Sequence, residues 1–154
     1  MGNYFATLTD EEKKLLFDAP VYVSLLAALE DGKISKKELE DATTLVHYRT
    51  FTSKPILHKY FKAAETQFRD RLNREELELS EDIEASRTLL HNKLHKVNSV
   101  LSKMDEKFVT ELKLSLHTFA NHIVNVNTSW IQSLPIFVDP FLRTKKKDSS
   151  EELF

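Results

Sequence analysis

The sequence predicts an all-α protein, a single-domain bundle of about six helices. It places a D-G-x-I helix hairpin near the N-terminus and a long antiparallel helix pair near the C-terminus. Three observations carry this expectation. Two glycines and four prolines in 154 residues are too few turn-formers for a β-rich fold. Apolar residues recur at spacings of three and four along most of the chain, the period of an amphipathic helix. Capping signals stand where those periodic stretches begin.

The first helix opens at Thr9-Asp10-Glu11-Glu12, a capping box with acidic residues at the positive end of the helix dipole. Leu15, Leu16 and Phe17 form its apolar side. Asp18-Ala19-Pro20 breaks the chain, because proline is tolerated in a first helical turn and not in an interior. The second helix, from about Pro20 to Glu30, is apolar nearly all round and belongs at the centre of the bundle. Asp31-Gly32 ends it, since glycine takes the left-handed conformation at little cost. Ser35 and Glu38 then make the S-x-x-E box that opens the third helix, which runs to about Tyr48 with Leu39, Ala42, Leu45 and Val46 on one face.

Pro55 marks the next connection and a fourth helix carries Leu57, Phe61, Ala64, Phe68 and Leu72. Its charged far end, residues 73–80, is expected to be exposed. The last two helices have the clearest stripes: Ile83, Leu90, Leu94, Val97, Leu101 and Met104, then Val109, Leu112, Leu116, Phe119, Ile123 and Val126, reaching Trp130. Asp105 between them reads as an N-cap. Two such stripes describe antiparallel helices packed face to face. Residues 134–142 are apolar but contain Pro135 and Pro140, so they read as an extended segment lying over the bundle or docking on another protein. The domain is expected to span 1–142, with 143–154 a disordered charged tail in which the acidic residues offset Lys145, Lys146 and Lys147.

Composition narrows the function classes. An apolar share of 41% and a charged share of 30% suit a soluble globular protein. The absence of cysteine removes disulfides, thiolate nucleophiles and Cys-based metal sites, and fits a cytoplasmic protein. Residues 1–6 lack the pattern of a secretory signal, and Ala6 stands where a myristoylation motif needs Ser or Thr. No apolar run approaches the ~20 residues of a membrane span. A net charge of −2 with both signs mixed gives no reason to expect nucleic acid.

Two constellations could carry metal chemistry. With Gly32 at the sixth position of a calcium-binding loop, Asp31, Ile34 and Glu38 fall at the fifth, eighth and twelfth, as the pattern requires. The first and third positions fall on Ala27 and Leu29, which offer no oxygen ligand. The capping box explains Ser35 and Glu38 without an ion; the alternative is a divalent cation held by Asp31, Glu38 and neighbouring acids. His91 and His95 are four apart, a spacing at which two imidazoles can share a metal, but no third ligand and no H-E-x-x-H glutamate accompany them. They read as helix-surface histidines. No nucleophile elbow, phosphate loop or dinucleotide fingerprint occurs, so no enzyme is expected, and a hydrolase or metalloenzyme built around His91 and His95 is the least favoured class.

The run of residues 19–38, A-P-V-Y-V-S-L-L-A-A-L-E-D-G-K-I-S-K-K-E, resembles the signature hairpin of TerB-like tellurite-resistance proteins. The resemblance implies an all-helical cytoplasmic domain associated with stress response, with a metal-binding acidic patch onto which Asp31 and Glu38, with Glu30 beside them, can be carried over. The family's second acidic hairpin has no counterpart, since Asp-Gly does not recur after residue 50. The functional expectation is a non-enzymatic, cytoplasmic, stress-associated accessory or interaction module with an unidentified protein partner and no cofactor. The alternative is a divalent-metal-binding module built on the acidic hairpin.

Overall fold

The computed structural model of the chain describes residues 4–29 and 36–123. Helices cover Asp10–Phe17 (α1), Ala19–Leu29 (α2), Lys36–Thr52 (α3), Pro55–Leu77 (α4), Ile83–Leu101 (α5) and Glu106–Ile123 (α6). No strand occurs among the described residues, and the all-α expectation is borne out. The turn at 30–35, with Asp31 in it, lies outside the described residues. So do residues 124–154, which hold the apolar 134–142 segment and the charged tail.

The helix starts follow from their caps. The Thr9 hydroxyl accepts the Glu12 N–H at 3.1 Å while the Glu12 carboxylate accepts the Thr9 N–H at 3.0 Å, closing the box read from the sequence. The Asp105 carboxylate accepts the Phe108 N–H at 3.1 Å, as an N-cap should. Asp82 does the same for α5, accepting the Glu84 and Ala85 amides at 3.0 and 3.2 Å. Pro55 occupies the first turn of α4, where its missing N–H has no partner to lose.

α2 is the hub. Every residue from Ala19 to Leu29 is buried. Its one aliphatic hydroxyl, Ser24, is satisfied within the helix by donating to the Pro20 carbonyl at 2.6 Å. A helix with no polar face needs neighbours on every side, and α2 touches all five other helices. Here the structure corrects one expectation: α5 and α6 do not pair mainly face to face. Each lays its stripe on α2. The Lys93 ammonium lies 5.5 Å from the centroid of the Tyr22 ring. Arg87 reaches the Leu29 carbonyl at 3.5 Å. The two contacts fix α5 antiparallel to α2.

The expected stripe of α4 is buried in full, joined by Tyr60, whose hydroxyl donates to the Leu16 carbonyl at 2.7 Å. In α6 the stripe is led by Phe108 rather than Val109, which is only partly buried. Phe108 is drawn inward by aromatic neighbours: Tyr4 stacks on it at 5.0 Å and Phe5 meets it edge-on at 5.6 Å. The residues ahead of α1 thereby become part of the core. The charged end of α4 is not uniformly exposed either, because Glu75 is only 2% accessible.

Leu25→Ala is expected to lower the unfolding free energy by about 2–5 kcal/mol, since a fully enclosed site cannot collapse around the cavity. Leu77→Ala, at a side chain 85% exposed, is expected to stay within about 0.5 kcal/mol. Urea titrations of the two variants, read by far-ultraviolet circular dichroism, check both.

Candidate functional site

Of the two carboxylates expected to hold a cation, Glu38 is the third residue of α3 and half-buried, while Asp31 and Ser35, its expected capping partner, lie outside the described residues. Arg87 is the α5 side chain that reaches the end of α2, just before Glu30 and Asp31 in sequence. A guanidinium against the last carbonyls of a helix complements the negative end of its dipole. Arg87 also bonds Glu84 at 2.8 Å.

His91 and His95 stand one turn apart on α5, His91 half-buried and His95 exposed. Burial, then the nearby Arg87, then His95 lower the His91 pKa, so this imidazole is neutral at pH 7. The other described histidines are engaged elsewhere. His47 pairs with Glu65, His58 contacts the Ser53 carbonyl at 2.8 Å, and His122 contacts the Thr118 carbonyl at 3.0 Å. Among the described residues no group of three or more His, Asp or Glu side chains is placed to hold a metal ion.

What the sequence reading missed is a buried ionic network at the foot of α2. Asp18 closes α1 and its carbonyl accepts the Tyr22 N–H that begins α2. Its carboxylate, turned inward, accepts Arg71 Nε at 3.0 Å. Arg71 Nη2 donates to Glu75 Oε2 at 2.8 Å. Lys93 Nζ, from α5, donates to Glu75 Oε1 at 2.5 Å and lies 3.4 Å from Glu78 Oε1. Burial raises the Asp18 pKa, with the charge and hydrogen bond of Arg71 opposing that rise. The Tyr22 phenol is pushed well above its usual range by burial and by the neighbouring Asp18 and Glu75, so it stays neutral. A signal for the network existed: the three-four spacing of α4, continued beyond Leu72, lands on Glu75, and Arg71 precedes it by one turn. The buried Arg71 and the half-buried Lys93 balance the two buried anions, and each carboxylate is committed to a partner. This arrangement ties α1, α2, α4 and α5 together; it presents no open nucleophile.

The second feature missed is on the surface. Tyr48 and Phe51 are 53% and 57% exposed, with ring centroids 5.7 Å apart, and the His47 ring meets Phe51 edge-on at 5.8 Å. Leu39, Ala42, Val46 and Thr50 are buried on the other side of α3. At 100° per residue the two rings project directly away from that buried side. Arg49 fixes this end of the helix: Nη1 donates to the Ser115 carbonyl and Nη2 to Thr118 Oγ1, both at 3.1 Å. Lys54 pairs with Glu111 at 3.1 Å. The signal in the sequence was two aromatics lying out of phase with the apolar stripe of their own helix.

Comparison with protein families, curated proteins and solved structures finds no match to this chain.

Arg71→Met is expected to cost about 3–5 kcal/mol, because it leaves Asp18 and Glu75 facing each other in a buried site. Glu78→Gln, on the exposed limb of the network, is expected to cost about 1 kcal/mol or less. Chemical denaturation at pH 7 checks the contrast. The His91 pKa is depressed in the fold, so the unfolded chain takes up a proton first as pH falls. The stability due to neutral His91 is therefore present above the ordinary histidine range and lost on acidification through it. His91→Gln is expected to flatten that part of the pH–stability curve.

Proposed function

We propose that this chain is a non-enzymatic interaction module whose partner-binding surface is the outer face of α3 around Tyr48 and Phe51. The observation that supports this reading is the exposed aromatic pair itself. Aromatic side chains are enriched at protein interfaces, where a large rigid ring is buried with little loss of rotamer freedom. The rings sit on a helix end anchored by Arg49 and Lys54, so the surface is held in place before a partner arrives. The buried charges Asp18, Arg71 and Glu75 are consumed by structural pairing, which supports a binding role over a catalytic one. The TerB-like run of residues 19–38 agrees with a cytoplasmic, stress-associated accessory protein, and its acidic turn supplies the competing reading of a divalent-cation site at Asp31 and Glu38.

The combined variant Tyr48→Ser, Phe51→Ser is expected to keep its melting temperature and to lose the proteins that cross-link to the wild-type chain in cells. Retention of the same cross-linked proteins would remove α3 as the binding surface. A carboxylate site would instead give a calcium- or magnesium-dependent rise in the melting temperature of metal-stripped protein, abolished by Asp31→Asn.

A further inference from the structure

We infer that the aromatic face of α3, with the adjoining edge of α6, pairs with the same face of a second copy of this chain in an antiparallel two-fold dimer. The inference rests on the reading of this face as a binding surface and names its partner. Three observations point to it. The first is the extent of the face. Of the four large hydrophobic side chains exposed among the described residues, Tyr48, Phe51 and Leu114 share it, while Leu77 stands apart at the end of α4. Arg49 meets Ser115 and Thr118, while Lys54 meets Glu111, so α3 and α6 lie side by side and run in opposite directions. That register sets Leu114, 59% exposed, level with Phe51 across the Arg49 seam. Thr44, exposed, and Leu45, partly buried, continue the surface toward the start of α3.

The second is area. Adjacent helices of 17 and 18 residues present a footprint of roughly 25 Å by 20 Å. With its side-chain relief, this approaches the roughly 600 Å² per partner of the smallest specific interfaces. One docked helix covers half of it; the same helix pair on a second copy covers it all. The third is charge. Asp41 lies seven residues before Tyr48 and Lys54 six residues after it, so the two stand about 10 Å to either side. Glu40 and Asp41 outweigh Lys37 at one end, and Lys54 and Lys107 outweigh Glu111 at the other; of these only Glu111 is not well exposed. A two-fold axis through Tyr48, perpendicular to α3, therefore sets each acidic end against the basic end of the other copy. It also places Tyr48 on its equivalent and lays Phe51 and Leu114 over Thr44 and Leu45 of the second copy. A two-fold axis parallel to α3 would oppose like charges at both ends.

Sedimentation velocity of the full chain from about 2 to about 500 µM, in about 50 mM salt to limit screening, tests this. The wild type is expected to show a monomer–dimer equilibrium with a Kd in the micromolar range. Tyr48→Ser with Phe51→Ser is expected to raise that Kd at least about tenfold. Charge exchange then tests the antiparallel register. Asp41→Lys and Lys54→Asp are each expected to weaken self-association several-fold, because each sets like charges together twice across the axis. An equimolar mixture of these two variants restores opposite charges at both contacts and is expected to associate as tightly as the wild type. Mixing does not change how either chain folds, so recovery reports the interface itself. A wild type monomeric at every concentration, a dimer indifferent to the serine substitutions, or a mixture no tighter than its components would each overturn the inference. A monomeric wild type whose cellular cross-links still depend on Tyr48 and Phe51 would overturn self-pairing alone. Cross-links and dimer both indifferent to those substitutions would overturn the binding surface as well.

Discussion

An eleven-residue helix without a polar face has to be surrounded, and that requirement organises everything else. α2 returns the Ser24 hydroxyl to its own Pro20 carbonyl. What remains is a cylinder of apolar surface, which α1, α3, α4, α5 and α6 cover between them. The stripe on each neighbour is as wide as one side of a bundle contact, and no single partner would be enough. The long stripes of α5 and α6, which look made for each other in sequence, are spent on α2 instead.

Immersing a helix start raises a second problem, because its first amides and any adjacent charge lose water together. Asp18 stands at this point. Its carboxylate cannot reach solvent, and Arg71 from α4 answers it; Glu75 balances Arg71 and Lys93 balances Glu75. The aliphatic stem of Lys93 lets its ammonium sit near the Tyr22 ring while remaining on the partly exposed side of the network. Such a network adds little net stability over an apolar core of equal volume. Its geometric demands nevertheless specify which turn of α4 and α5 meets the foot of α2.

Much of the architecture was legible because it is encoded locally. The Thr9–Glu12 box, the Asp105 cap, the position of Pro20 and the central place of α2 are each properties of a few neighbouring residues. The partner of each stripe was not, since periodicity says which face is buried and not against what. Glu75 was assigned to the surface for a related reason: a charge among charges reads as solvated unless its tertiary partners are known. Tyr4 and Phe5 were passed over because they precede the first cap, yet Tyr4 stacks on Phe108 and Phe5 meets Phe17 edge-on. The Tyr48–Phe51 pair was visible as two aromatics out of phase with their stripe, though its exposure needed the fold.

The placement of that pair has a dynamic corollary. α3 buries Leu39, Ala42, Val46 and Thr50 and leaves most of its length outside, resting chiefly on α4. Contacts among α2, α4, α5 and α6 survive its departure, so α3 is the unit best suited to open without global unfolding. A partner bound to its aromatic face adds its interaction free energy to the least protected part of the molecule. Occupancy is then written into the exchange rates of the α3 amides, and a bundle with a rigid centre reports binding through the stiffness of its outermost helix.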